Sequence, residues 1–303
     1  MIILKDICKQ LENKKILDKI SFHISPGESV GVIGLNGAGK TTLLNVIAGV
    51  LKPDSGFIRV NGAENQLEKY TALKELSYIS GTKSQLWDDL TVKSSFENCM
   101  KMYGVDRQSA KTRLKELDEI FEVQEFMSSL PGSLSLGERM RCELVYGLLP
   151  KPKILMLDEA MIGLDLSIKH KIIGYFERYG KEKKSTIIYT SHNLAEVEKI
   201  CDRILLIDRG RIIFDGSIEK VMKDFAPLYR MELKLLGEFP DFEDIPIHKF
   251  SLNEDTLAID YDKQKVETAQ ILKHIMKKSK IMDVKLYEPD LEGTIRKIYE
   301  RKG

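Results

Sequence analysis

The chain has no uninterrupted apolar run approaching the roughly 20 residues that a membrane-spanning helix needs. Its opening stretch, Met1 to Lys9, acquires charge too early for a secretory signal. Both absences predict a soluble protein whose dealings with a membrane pass through a partner. Charge of one sign is also missing: 47 basic against 46 acidic residues leave a formal net charge of +1. That balance removes the electrostatic case for binding nucleic acid, and the run Lys181–Lys184 is read as a solvated turn. Cysteine is sparse, and Cys8, Cys99, Cys142 and Cys201 form no Cys-x-x-Cys. Reduced, partly buried thiols are expected, not a disulfide framework or a zinc site. The five histidines show no metal-ligand spacing, and the chain holds no internal repeat and no low-complexity tract.

What is present is ample for two domains: 303 residues, 43% of them hydrophobic. The first half alternates apolar runs with turns. Ile20 to Ile24 and Ser29 to Ile33 read as strands around the turn Pro26-Gly27-Glu28. Lys40 to Ala48 has helical spacing, and Phe57 to Val60 reads as a further strand. From about 92 to 150 the texture turns helical, with Asp106 as a cap and Leu114, Leu117 and Phe121 on one face. Ile154–Leu157 and Thr186–Thr190 are strand-like. Arg203–Asp208 and Arg211–Phe214 flank Arg209-Gly210, a hairpin signal. A short helix, Ser217–Phe225, closes this region, and a domain boundary is expected near Phe225. Beyond it Pro227, Gly237, Pro240 and Pro246 break up the chain. A strand follows at Thr256–Tyr261, then a helix with Val266, Ala269, Leu272 and Met276 inward. A strand at Ile281–Tyr287 and a last helix from Asp290, with Leu291, Ile295 and Ile298 in line, complete the tail.

Gly34-Leu35-Asn36-Gly37-Ala38-Gly39-Lys40-Thr41 fits the full phosphate-loop pattern G-x-x-x-x-G-K-[ST], between a buried strand and a helix. Glycines let backbone N–H groups of Gly34, Asn36, Gly37, Ala38 and Gly39 close around phosphate oxygens, and the helix N-terminus adds positive partial charge. Lys40 should reach the outer phosphates, Thr41 should ligate Mg²⁺, and Thr42 can add a phosphate contact. The competing explanation, a glycine turn without chemistry, does not account for the flanking strand and helix. Downstream, Ile154–Asp158-Glu159 is an apolar strand ending in two carboxylates. Strand ends of a parallel sheet gather beside a phosphate loop. Asp158 then serves the magnesium shell, and Glu159 orients or deprotonates the attacking water. Alone, either carboxylate would read as a helix cap.

Leu134-Ser135-Leu136-Gly137-Glu138 opens another helix, with a hydroxyl and a small residue at its N-terminus. That is a second anion site in a chain that already has one. A single nucleotide does not need both, so this helix is expected to meet the nucleotide held by another copy.

These segments, followed by Leu164-Asp165 and Ser191-His192, stand in the order found in ATP-binding subunits of ABC transporters, which residues 1 to about 225 resemble. The resemblance implies a P-loop NTPase fold of α/β class: a mixed sheet with a helical subdomain, the insert at about 92–150. Residues 226–303 would form a small C-terminal α+β domain. It also implies ATP and Mg²⁺ as cofactors, ATP hydrolysis, and a head-to-tail dimer with a second ATPase subunit. Each site would combine Lys40, Thr41, Asp158 and Glu159 of one chain with Ser135 and Gly137 of the other. His192 would contact the γ-phosphate, and Asp165 would lie at the seam. The expected partner is an integral membrane permease, which places the chain peripherally on the cytoplasmic face of the membrane.

Three departures from the family pattern stand out. Leu11 occupies the position where an aromatic residue usually stacks on adenine, which predicts weak base selectivity. LSLGE replaces the commoner LSGGQ. The expected magnesium-contacting glutamine falls on Thr82, with Gln85 nearby as its substitute. The run Ser84–Leu90 and the tail around Asp290 resemble subunits paired with ABC-2 type permeases, often exporters. Trp87 is either a core plug of the insert or part of a permease-facing groove. The alternatives are an importer subunit or a soluble ABC ATPase of translation or repair. A small-molecule kinase would need neither LSLGE nor His192.

Overall fold

The computed structural model describes residues 1–63, 74–182, 185–225, 228–237, 239–242 and 244–302. Pro227 and part of the Lys181–Lys184 run therefore lie outside the described residues. The chain divides into two compact units, Met1–Gly216 and Ser217–Gly303. The division falls earlier than the expected boundary near Phe225. The closing helix, Ile218–Phe225, packs against the C-terminal helix Leu291–Lys302 and so belongs to the second unit.

The first unit contains two sheets. A three-stranded antiparallel sheet has the order β2-β1-β4, with β1 at Ile2–Leu11, β2 at Lys14–Ile24 and β4 at Ser55–Val60. Glu12 and Asn13 turn the chain from β1 to β2 with φ of 48° and 64°. Two left-handed residues give a hairpin turn whose twist matches its strands. The larger sheet has six strands in the order β5-β6-β7-β3-β8-β9. These are β3 (Ser29–Gly34), β5 (Leu76–Ser80), β6 (Ile154–Asp158), β7 (Thr186–Thr190), β8 (Arg203–Asp208) and β9 (Arg211–Ser217). β3, β6 and β7 are almost wholly buried, as expected of strands covered on both faces. β3 runs parallel to both β7 and β8, and β6 parallel to both β5 and β7. Ser80, Asp158 and Thr190 are register partners across β5, β6 and β7. Parallel direction thus brings the ends of β3, β5, β6 and β7 to one edge of the sheet.

Helix α1 (Lys40–Ile47) follows β3 directly. The helical insert holds α2 (Val92–Met102), α3 (Arg107–Phe121) and α4 (Leu136–Leu148). Thr91 caps α2 by accepting from the Ser94 N–H, and Asp106 caps α3 by accepting from Gln108 and Ser109. Leu117 and Phe121 are fully buried, while Leu114 is only half-buried beside a groove lined by α2 and α3. Trp87 is 48% exposed and is not a core plug. Helices α5 (Leu166–Lys181) and α6 (Leu194–Ile200) follow β6 and β7.

The second unit begins with α7 (Ile218–Phe225) and holds an antiparallel sheet of order β11-β12-β10-β13. Its strands are β10 (Leu228–Gly237), β11 (Ile247–Asn253), β12 (Thr256–Asp262) and β13 (Ser279–Tyr287); α8 (Thr268–Ile275) and α9 (Leu291–Lys302) complete it. β10 and β11 occupy the stretch read from sequence as broken chain. Gly237 ends β10 at φ 124°, so it terminates a strand there. The inward face of α8 is Ile271 and Ile275, both fully buried. Of the expected inward set, Val266 is buried and Leu272 packs against the core, while Ala269 is exposed and Met276 is 66% exposed. The helix starts at Thr268, past Val266, so counting helical spacing from Val266 misses Ile271 and Ile275.

Candidate functional site

The phosphate loop links β3 to α1. Gly37 and Gly39 adopt φ of 78° and 106°, which a side chain would strain. Gly34 is a glycine for packing: a Cβ there would lie 2.5 Å from the Ile207 carbonyl oxygen of β8. Ala38 is buried, its N–H donating to the Leu35 carbonyl at 3.0 Å. From behind, the Gly210 N–H of the β8–β9 turn donates to the Ala38 carbonyl at 3.1 Å. Arg209 and Gly210, both at positive φ, form that turn, so the hairpin signal in the sequence acquires a use: it braces the loop. Leu35, Asn36 and Gly37 face solvent, as does Thr41, while Thr42 is half-buried.

Lys40 is 7% exposed, and its ammonium donates to the carbonyls of Gly34 at 2.9 Å and Leu35 at 3.3 Å. Burial pulls its pKa below the ordinary lysine value, and the nearby Glu159 and Asp158 carboxylates oppose that shift. The same electrostatics mark Lys40, Asp158 and Glu159 as one cluster.

Asp158 ends β6 with its carboxylate buried. Its Oδ1 accepts from the Thr190 hydroxyl at 2.6 Å and its Oδ2 from the Tyr78 hydroxyl at 3.1 Å. Desolvation, then the Asp158 charge, drive the Tyr78 phenol far above its ordinary value, so it stays a donor. Glu159 turns the chain at φ 54°, an uncommon backbone for a non-glycine residue. Its N–H donates to the carbonyl and hydroxyl oxygens of Thr190, at 3.1 and 3.2 Å. Its Oε1 meets His192 Nε2 at 2.8 Å, and both side chains remain accessible to solvent. Next to them, buried Glu196 accepts from the Tyr189 hydroxyl at 2.5 Å and the Ser191 hydroxyl at 2.8 Å. The Ser191 hydroxyl also accepts from the Asn193 N–H at 3.0 Å. These bonds fix the turn that presents His192.

Thr82 lies beside Ser80, the two hydroxyls 3.0 Å apart. The Gln85 side-chain amide donates to the Tyr78 carbonyl, and its backbone N–H donates to Glu143 Oε1 and Oε2 at 3.1 and 2.9 Å. Glu143 sits on α4, 1% exposed, and also accepts from the Ser84 hydroxyl. The loop after β5 is thus tied to α4 by a buried carboxylate.

Ser135 and Gly137 open α4, with Gly137 packed on Gly163 and Leu164, and Asp165 follows that segment at the start of α5. Ser135 caps α4 in a capping box: its N–H donates to Glu138 Oε2 at 2.7 Å and its hydroxyl accepts from the Glu138 N–H at 3.4 Å. Gly137 has a packing reason to be glycine, because a Cβ would collide with the Gly163 carbonyl oxygen. Asp165 caps α5, accepting from the Ile168 N–H at 3.0 Å, a bond that holds its carboxyl below the usual range. Leu11 stands apart at the β1–β2 turn, 41% exposed.

Four residues that matter to this geometry escaped the sequence reasoning. Tyr78 and Thr190 were invisible because their contact with Asp158 depends on strand register. Gly163 carried no signal, because its approach to Gly137 joins two separate segments. Glu143 did carry a signal: a carboxylate between Cys142 and Leu144 in an otherwise apolar stretch of helix.

Fold and site define a P-loop nucleoside triphosphatase. The ABC transporter family profile matches residues 17–162. The ABC transporter ATP-binding protein NatA of Bacillus subtilis is 31% identical over 73% of this chain and 91% of its own length. The linearmycin resistance ATP-binding protein LnrL of the same organism is 29% identical and is covered over 96% of both chains. The methionine import ATP-binding protein MetN of Clostridium acetobutylicum is 31% identical over 80% of this chain and 75% of its own. A solved ATP-binding subunit of an ABC transporter superposes with TM-score 0.68 at 28% identity, covering 75% of this chain and 93% of that one. The chain belongs to the ABC transporter ATP-binding subunits, and it is an ATP-binding ATPase of that family. No helix among the described residues is long and apolar enough to cross a membrane.

Proposed function

We propose that this chain is the energy-transducing subunit of an ABC-2 type exporter, working peripherally on the cytoplasmic face of a membrane with a separate integral permease. Two ATPase subunits close head to tail around two ATP molecules. The phosphate loop holds the triphosphate, and Lys40 moves its ammonium from the Gly34 and Leu35 carbonyls to the outer phosphates. Glu159 holds the attacking water and accepts its proton, with His192 orienting the carboxylate and touching the γ-phosphate. The Ser135 hydroxyl and Gly137 N–H of the opposite subunit donate to the same phosphate, and Asp165 lies at the seam.

The residues fit magnesium. Among the described residues no group of three His, Cys, Asp or Glu side chains could hold a metal unaided. A magnesium ion bound through substrate phosphates needs only one or two protein oxygens. Thr41 and Asp158 supply them, Asp158 already being oriented by Tyr78 and Thr190. Gln85 uses its amide N–H on Tyr78, which leaves its amide oxygen free to serve the ion. The ion would neutralise charge on the transferring phosphoryl group.

The observation that carries the exporter assignment is the LnrL match, which runs through both units of the chain. Importer use is the second reading, favoured by the MetN match. Both are tested by purifying the tagged full-length chain from native membranes and identifying its partner. A co-purifying permease that effluxes its cargo in ATP-loaded inverted vesicles supports the proposal. A partner that requires an external binding protein overturns it in favour of import. Recovery of ribosomes or DNA-repair factors in place of a permease overturns transport altogether.

A further inference from the structure

We propose that β13 is a self-pairing edge: two copies of this chain join their C-terminal sheets antiparallel through β13, centred on Val284. β13 pairs with β10 on one side and is the outermost strand of its sheet on the other. Every residue from Met282 to Tyr287 is exposed. Edge strands invite another strand through their free backbone groups. On β13 a bulge interrupts the strand at Met282, and the Val284 N–H donates to its neighbour Asp283 Oδ1 at 2.9 Å, a local bond that pairing would exchange for one between strands. Two apolar side chains in regular register line the strand, Val284 at 38% and Leu286 at 52% exposure, while Met282, 58% exposed, is the extra residue of the bulge, because Lys234 pairs with Asp283 and Leu235 with Ile281.

Register fixes what each face offers. Val284 and Leu286 stand opposite Leu233 and Met231 of β10, both fully buried in the core of this unit. The apolar face of β13 is therefore the uncovered margin of that core. On the other face Asp283 stands opposite Lys234, and Lys285 opposite Glu232. The charges alternate across the strands already paired.

Antiparallel self-pairing about Val284 continues both patterns. Val284 meets its own symmetry mate, and Asp283 meets Lys285, twice by symmetry. The polar rows then read Glu232, Lys285, Asp283, Lys234 across the junction, opposite charges adjacent at every step. Other arrangements fail. A slip of one residue sets charged against apolar side chains on each face. A slip of two sets Asp283 on Asp283 or Lys285 on Lys285, and parallel pairing does both. A strand complementary only to itself, in one register, fits an isologous two-fold contact with a second copy. The other edge, β11, has Lys249 and no acidic residue, so it lacks this complementarity.

The contact needs no nucleotide, so its test is independent of the catalytic reading above. Full-length protein without nucleotide is followed by sedimentation velocity across a dilution series. Wild type should dimerise. Asp283→Lys and Lys285→Asp, each alone, should weaken self-association by about tenfold or more, since both symmetric pairs become like-charged. Mixed in equal amounts, the two variants should associate as tightly as wild type, because each then meets opposite charge. A wild type that stays monomeric overturns the proposal, as do single variants that dimerise unchanged or a mixture that recovers nothing. A second measurement covers variants that fail to fold. Facing Cα atoms of an antiparallel pair lie about 4.5–5.5 Å apart, within disulfide reach. Val284→Cys should therefore cross-link to itself under mild oxidation, while Ser251→Cys on β11 should not. Equal cross-linking at both positions overturns the assignment.

Discussion

His192 Nε2 and Glu159 Oε1 stand 2.8 Å apart at the ends of neighbouring parallel strands. They meet because Asp158 and Thr190 are register partners, so the residues just beyond them leave the sheet side by side. The Glu159 N–H, bonded to Thr190, holds the turn in place. In the proposed mechanism this carboxylate takes a proton from the attacking water, in a direction set by the imidazole. Glu159→Gln keeps the shape and removes the basicity. ATP hydrolysis should fall by about 10²- to 10⁴-fold, with ATP affinity changed little. Phosphate release and equilibrium nucleotide binding, measured on the same preparation, check this; near-normal turnover would refute the role.

Asp158 owes its orientation to two hydroxyls rather than to a cation. Thr190→Val removes the 2.6 Å donor and leaves part of a buried carboxylate unserved, costing about 1–3 kcal/mol of stability. The magnesium concentration needed for half-maximal hydrolysis should rise, since the carboxylate is then held by the Tyr78 hydroxyl alone. Tyr78→Phe should act in the same direction more weakly, its bond being the longer one at 3.1 Å. A magnesium titration of each variant decides; an unmoved midpoint in Thr190→Val means the hydroxyl does not orient the ligand.

Much of this arrangement could be read before any coordinates. The phosphate loop is contiguous, and its glycines declare their backbone. The acidic pair closes a run of apolar residues that can only be a buried strand. What sequence could not supply was lateral information. Tyr78 and Thr190 reach Asp158 only because β5, β6 and β7 align in one register. The second unit was harder for another reason. β10 mixes charged and apolar residues in ordinary alternation, and the prolines and glycines around it resembled broken chain. For α8, helical spacing counted from Val266, which lies before the helix, passed over Ile271 and Ile275.

Gly137 and Ser135 are neighbours with different physical reasons for their identity. Gly137→Ala forces a Cβ into the Gly163 carbonyl, both backbones being fixed. It should cost about 1–3 kcal/mol through overpacking, visible as a lower Tm in isolated protein. Ser135→Ala loses only a cap bond, about 1 kcal/mol, and should depress ATP hydrolysis far more than it depresses Tm. If both variants lose activity only in proportion to stability, the phosphate-donor role of Ser135 is wrong.

Leu11 is exposed at a hairpin turn, where an aromatic ring would fit without repacking a core. Stacking on a base contributes about 1–3 kcal/mol, of which leucine recovers part by apolar contact. Leu11→Tyr should tighten ATP binding by about tenfold. Wild type should also bind ATP and GTP with similar affinity. Competition binding with the two nucleotides tests both statements, and a wild type strongly selective for ATP would remove Leu11 from the base site.

Glu143 joins α4 to the loop after β5 through a buried carboxyl. Its carboxyl is 1% exposed, and burial raises its pKa above the ordinary glutamate value against the opposing bonds from Ser84 and Gln85. The folded protein therefore holds this proton more tightly than the unfolded chain does. That contribution is complete below the ordinary glutamate pKa and disappears as pH climbs through the raised value. Glu143→Gln fills the same space and cannot ionise. The Tm of wild type minus that of Glu143→Gln should fall as pH rises from about 4 to about 8, and level off once the buried carboxyl has ionised. Thermal melts of the two proteins across this range measure it. A difference that stays flat means Glu143 titrates like an exposed glutamate, and the joint between helix and loop is then insensitive to its charge.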